Sequence, residues 1–197
     1  PGPESPNDLE AVISGLTLTG GDVAFDGSTN ANGGGIFAVH IRLVLRDSVV
    51  SGNYSEGNGG GVYNISVNQS AESLIERTVI ASNHALGAGG GLSASHGTEQ
   101  GTIVRDSLIV GNRAEYRGGG IAGQSSSFYD VSFVLENSTV SGNIAGSGGG
   151  VYLGFDASRS FIRHSTITDN SALLPTGAGG VLAGFGEANL SHVIVAG

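Results

Sequence analysis

Short runs in which apolar and small polar residues alternate recur along the chain, each closed by an Asn. One reads Leu45-Arg46-Asp47-Ser48-Val49-Val50-Ser51-Gly52-Asn53 and another Leu135-Glu136-Asn137-Ser138-Thr139-Val140-Ser141-Gly142-Asn143. The phrase returns around Ile75 to Asn83, Val104 to Asn112 and Ile162 to Asn170. Alternation of this kind has the period of a strand, and runs so short and so closely bounded by Gly leave no room for a helix. Between the phrases lie glycine triplets ending at Gly35, Gly61, Gly91, Gly120 and Gly150, with the pair Gly179-Gly180 as a sixth copy. Each is followed by an aliphatic residue: Ile36, Val62, Leu92, Ile121, Val151 or Val181.

A unit of about 30 residues holding short strands and Gly-rich corners cannot bury its own apolar face, so each unit must stack on the next. Stacked strands at ~4.8 Å give a parallel β-solenoid whose interior is filled by columns of like residues. The predicted fold is therefore all-β, a parallel β-helix of about six coils, with a Pro-rich segment over residues 1–10 and one β-helix domain over 11–197. Two core columns are predicted: Leu45, Ile75, Val104, Leu135, Ile162, and Val50, Ile80, Ile109, Val140, Ile167. Ile13 and Leu18 continue them into the first coil. The last residues, Leu190 to Gly197, read as one strand of a seventh coil that another coil or another molecule would cover.

The repeated Asn residues, Asn53, Asn83, Asn112, Asn143 and Asn170, suit tight left-handed corners, and their amides can form a ladder from coil to coil. Gly21 takes this position in the first coil. Beside the first core column run Arg46, Glu76, Arg105, Glu136 and Arg163, alternating in sign. Their neighbours Asp47, Arg77 and Asp106 alternate too, before Asn137 and His164. In-register stacking places opposite charges side by side, worth about 0.2–1 kcal/mol per surface pair.

Composition narrows the chemistry. Of 197 residues 36 are Gly, yet 39% are hydrophobic, which separates the chain from collagen and from disordered low-complexity tracts. There is no Cys, and all 8 basic residues are Arg, which removes disulfides, thiolate zinc sites, thiol catalysis and lysine chemistry. A net charge of −9 disfavours nucleic acid and anionic membranes as partners, and no apolar stretch reaches the length of a membrane span.

The pairing of Val50-Ser51-Gly52-Asn53 with Gly59-Gly60-Gly61-Val62 resembles the repeats of polymorphic outer-membrane proteins and related bacterial cell-surface β-helix proteins. That resemblance covers nearly all of the chain after the first ten residues. It implies a right-handed parallel β-helix, an extracellular or bacterial cell-surface location, and a structural or adhesive role. The family's second phrase usually carries an aromatic residue where this chain has Val50, Ile80, Ile109, Val140 and Ile167.

Enzymes of carbohydrate metabolism share the β-helix fold, so catalysis must be tested on residues. A lyase needs a calcium-binding carboxylate cluster, and a hydrolase two carboxylates converging on a sugar. Asp47 and Asp106 stand two coils apart with Arg77 between them, and Asp169 is alone in its column. His40, His84, His96, His164 and His192 fall at different repeat positions and are read as solvated. No cofactor is predicted; weak Ca²⁺ binding at Asp22 and Asp26 is the only metal site considered. The sequons at Asn64, Asn68 and Asn189 matter only in a eukaryotic secretory pathway.

The outer positions of the second strand, Thr17 and Thr19 through Val49, Ser51, Val79, Ala81, Leu108, Val110, Thr139 and Ser141 to Thr166 and Thr168, carry no charge. Val44, Leu74, Ile103, Val134 and Phe161 also point outward if the Leu45 column points in, unless bulges turn them inward. These form a candidate interaction face. The leading expectation is a non-catalytic extracellular β-helix, structural or adhesive, displayed on a bacterial surface or self-assembling end-to-end or laterally. Its partners would be copies of itself, other surface proteins or glycans. The alternative is a polysaccharide-binding or polysaccharide-cleaving β-helix, pectate-lyase-like, with Tyr129, Asp130, Phe155, Asp156 and Phe185 lining one groove.

Overall fold

The computed structural model describes residues 9–24, 31–66, 72–96, 101–125, 133–154, 159–184 and 187–197. Their strands form four parallel sheets in which each strand pairs with its equivalent one repeat away. Sheet A stacks Glu10–Ser14, Arg42–Arg46, Ser73–Glu76, Thr102–Arg105, Phe133–Glu136, Arg159–Arg163 and Glu187–Ser191. Sheet B stacks Thr17–Thr19, Val49–Ser51, Val79–Ala81, Leu108–Val110, Thr139–Ser141, Thr166–Thr168 and Ile194–Ala196. The short strands of sheet C are Asp22–Val23, Tyr54–Ser55, His84–Ala85, Arg113–Arg117, Ile144–Ser147 and Ser171–Ala172. Sheet D takes the segments after the glycine triplets: Ile36–Val39, Val62–Ser66, Leu92–His96, Ile121–Ser125, Val151–Gly154 and Val181–Ala183. The chain passes six times through A, B, C and D and then adds one strand to A and one to B. This is a parallel β-helix, and its final segment contributes two strands where the sequence suggested one.

Register follows the two core columns. Leu45 lies against Ile75 and Ile13, and Val104 against Ile75 and Leu135. Val50 lies against Ile80 and Leu18. Leu45, Ile75, Val104, Leu135 and Ile162, and all five of the Val50 column, are fully buried. Val62, Leu92, Ile121 and Val151 of sheet D close the core from the other side. Each such aliphatic side chain contributes about 1.5–3 kcal/mol by leaving water, and the contribution exists only once coils have stacked.

Two corners make the turns possible. Between sheets A and B the left-handed position is taken by Gly15, Asp47, Arg77, Asp106, Asn137, His164 and His192. Next to it sits a buried hydroxyl: Ser48, Thr78, Ser107, Ser138 or Ser165. Each donates to the carbonyl two residues before it, as Ser107 Oγ does to Arg105 O at 2.7 Å. Ser107, Ser138 and Ser165 also accept the backbone N–H of the equivalent residue in the preceding coil, as Ser107 Oγ does from Thr78 at 3.1 Å, and Ser48 Oγ accepts that of Leu16. The corner after sheet B departs from the sequence reading. Its left-handed residue is the one before each Asn, and before Gly21 in the first coil, namely Gly20, Gly52, Ser82, Gly111, Gly142 and Asp169. The Asn residues are instead needed for side chains that turn inward.

Candidate interaction surface

The inward amides run the length of the solenoid. Asn53 Nδ2 donates to Asn83 Oδ1 at 2.9 Å, Asn83 to Asn112 at 3.0 Å, Asn112 to Asn143 at 3.0 Å and Asn143 to Asn170 at 2.9 Å. Every Nδ2 also donates to a carbonyl of the preceding coil, from Leu18 for Asn53 to Val140 for Asn170. Each Oδ1 accepts the backbone N–H of the previous rung, and Gly21 joins through its own N–H to Asn53 Oδ1. All five Asn residues are buried.

Outside, the charged columns stand in the register read from the sequence, with Arg46 beside Glu76, Glu76 beside Arg105, and Glu136 beside both Arg105 and Arg163. Contacts between the two columns matter as much as those within one. Glu76 accepts from Arg105 at 2.5 Å and also from its own neighbour Arg77 at 2.6 Å. Arg77 reaches Asp47 with a second pair of donors, Nε to Oδ1 at 2.7 Å and Nη2 to Oδ2 at 3.0 Å. That bidentate hydrogen bond holds the Asp47 carboxyl below the usual carboxylate range, and Asp47 in turn raises Arg77. Asp106 accepts from Asn137 Nδ2 at 2.6 Å. Arg163 lies 5.1 Å over the Phe161 ring, and its Nε is buried without a hydrogen-bond partner.

Sheet C carries a second polar group. Glu115 accepts from Arg113 Nε at 2.7 Å and lies 3.0 Å from His84 Nε2. The Arg113 hydrogen bond, with His84 behind it, lowers the Glu115 carboxyl. His84 also meets the Tyr54 ring edge-on. Although the histidines were read as scattered over the repeat, His164 and His192 share one column and stack with ring centroids 5.1 Å apart.

The face expected at Val44, Leu74, Ile103, Val134 and Phe161 is not open. Val44 and Val134 are buried, and Leu74, Ile103 and Phe161 are half-covered. The uncharged outer positions of sheet B do reach solvent, with Thr17, Thr19 and Leu108 exposed. Beside them the A/B corner holds two shallow depressions that share Asp106 and Asn137. One, over sheet B, is completed by Arg77, Val79, Leu108 and Thr139; the other, over sheet A, by Arg105, Glu136 and His164.

Several sequence expectations fall elsewhere. Tyr129, Asp130, Phe155, Asp156, Phe185, Asp26, Asn68 and the Pro-rich first residues lie outside the described residues, while Asp22 is exposed on sheet C. Asn64 is fully buried, so the folded chain cannot present that sequon. Among the described residues no helix is long and apolar enough to cross a membrane, and no group of three or more His, Asp or Glu is placed to hold a metal ion. The hydroxyl column at Ser48, Thr78, Ser107, Ser138 and Ser165 was missed as a structural device. Its signal was a Ser or Thr directly after five of the seven corner residues, with Leu16 and Val193 after the other two.

Compared with protein-family models, with curated proteins and with solved structures, the chain matches none.

Proposed function

We propose that the chain is a non-catalytic β-solenoid with a structural or adhesive role outside the cell, displayed on a bacterial surface or assembled with copies of itself. The observation that carries this reading is the use made of the outer charges. Asp47 is held by Arg77, Glu76 by Arg77 and Arg105, Glu115 by Arg113, and Asp106 by Asn137. Acid–base work on a sugar needs two carboxyl groups with pKa values pushed apart across an open site. Most of these carboxylates join one coil to the next, which suits a rod that bears load and presents a face. The likeness of the repeats to polymorphic outer-membrane proteins adds the bacterial surface to the reading.

Beads coated with the chain, and control beads coated with albumin, test the proposal when mixed with bacterial cells and with one another. Adherence or clustering confined to the chain-coated beads is expected, with no new sugar ends released from soluble xylan or polygalacturonate, with or without calcium. Sugar release would replace the proposal with an enzymatic one. Inert beads would remove the adhesive role.

A further inference from the structure

We infer that the trough where sheet B meets the A/B corner binds a linear, uncharged polysaccharide lying along the solenoid axis; the inference rests on the adhesive reading and names its ligand class. The trough has a wall and a floor, both built from the repeat. The wall is the corner column, with Arg77, Asp106 and Asn137 all exposed. The floor is the first outer column of sheet B, with Val79, Leu108 and Thr139. Each coil supplies one wall residue and one floor residue, so the pair recurs every ~4.8 Å along the axis. That is close to the length of one pyranose unit in an extended chain.

The chemistry of the two sides fits such a unit, which carries hydroxyls around its rim and C–H groups on its faces. Arg77 has five N–H donors; three go to Asp47 and Glu76, leaving two for a ligand. Asp106 accepts one hydrogen bond from Asn137 and keeps further lone pairs. Val79, Leu108 and the Thr139 methyl offer an apolar bed. Hydrogen bonds and an ion pair to neighbouring carboxylates also hold Arg77 and Asn137 in place. Arg77, Asp106 and Asn137 have φ of 46°, 52° and 45°, a conformation that an Arg adopts only under strain. Gly15 takes the same corner in the first coil with φ 71°, so the backbone does not require a long side chain there. A preset wall loses little entropy when a ligand arrives.

Other occupants fit less well. An extended peptide repeats every two residues, about 6.8 Å, and falls out of step with the coils. Polyanions meet a chain of net charge −9. A strip of two columns over three coils also offers far fewer than the roughly 20–30 residues a side of a stable protein interface.

Affinity electrophoresis of the full chain through gels containing xylan, glucomannan or hydroxyethylcellulose, with polygalacturonate as the charged control, tests the inference. Retardation is expected in at least one neutral gel, weakened about tenfold by Asp106→Ala and by Leu108→Asp. Thr168→Val, on sheet B beyond the trough, should leave it unchanged, and circular dichroism and melting temperature establish that each variant is folded. If Leu108→Asp does not fold, Asn137→Ala takes its place. No retardation in any neutral gel overturns the inference, as does retardation that both trough variants retain. Adhering beads with no retardation would sink the trough and leave the adhesive role standing; retardation with inert beads would do the reverse.

Discussion

A Cβ placed on Gly61 would fall 2.8 Å from Nδ2 of Asn83. The third glycine of the triplet and the Asn of the next coil therefore occupy one space, and neither can change without the other. The same closeness joins Gly35 to Asn53, Gly91 to Asn112 and Gly150 to Asn170. Two phrases that look separate in the sequence are thus halves of one device, in which glycine leaves the room that the amide ladder fills. The other triplet positions have different reasons. Gly59 has φ 68°, and a Cβ on Gly60 would lie 2.5 Å from the His84 carbonyl carbon.

Glycines that look alike should therefore respond unequally to alanine. Gly61→Ala meets Gly91 O at 2.7 Å as well as Asn83, and nothing nearby is free to retreat. A loss of ~3 kcal/mol or more is expected. Gly52 has φ 63° but only Thr19 Oγ1 within reach, at 3.4 Å, so Gly52→Ala should lose only the left-handed penalty of about 1–2 kcal/mol. Urea midpoints read at unchanged slope would separate the two. Equal losses would mean that the ladder does not set the spacing.

Asn112→Ala should destabilise by roughly 1–3 kcal/mol, since it strips partners from the backbone N–H and Nδ2 of Asn83 and from Ile80 O. Asn112→Asp is nearly the same shape and should be worse. It turns a donor into a buried charged oxygen facing Ile80 O and Asn143 Oδ1. A melting temperature unchanged in either variant would mean that the amides are incidental.

The sequence made the repeat, the alternating sign of the charged columns and both core columns legible because each is a property of every coil. Leu45 and Val50 recur as aliphatics five times, and only stacking in register makes sense of Arg46 opposite Glu76. What escaped reading depends on where backbone dihedrals fall inside a corner. Ser82 and Asp169 stand where Gly52, Gly111 and Gly142 stand, so the left-handed position was hidden by its own variety and assigned to the constant Asn. Alternation placed Val44 and Val134 on the outer face, yet both are buried, because alternation says nothing about what covers a side chain. Leu108 and Asp106 drew no notice as neighbours, because their trough needs the sheet A to sheet B turn.

One core position departs from its column. Asn64 is buried in sheet D between Ala38 and Ala94; its Nδ2 donates to Thr102 Oγ1 at 3.2 Å, while its Oδ1 has no partner. A buried acceptor left unpaired costs about 1–3 kcal/mol, and Leu153 fills the equivalent place three coils further on. Asn64→Leu is therefore expected to stabilise by ~1 kcal/mol, seen as a higher urea midpoint. A clear loss would show that Asn64 is held by a partner such as a buried water.

The Asp47–Arg77 pair predicts a pH effect whose sign is fixed. The folded-state pKa of Asp47 lies below its unfolded value, because Arg77 hydrogen-bonds the ionised form. The folded state thus binds the Asp47 proton less readily than the unfolded state. The stabilisation is complete above the unfolded value of about 3.9 and is lost as pH falls through the lower folded value. Both groups are exposed, so salt should weaken the effect as well. Arg77→Met should return the Asp47 carboxyl to the ordinary carboxylate range, followed by carbon-13 NMR of its side-chain carboxyl. Asp47→Asn should reduce the fall in stability on the acid side of pH 4 and change nothing at neutral pH that titrates. A carboxyl that titrates alike with and without Arg77 would mean that the pair does not persist in solution, and with it would go one of the cross-coil links on which the reading of the outer charges rests.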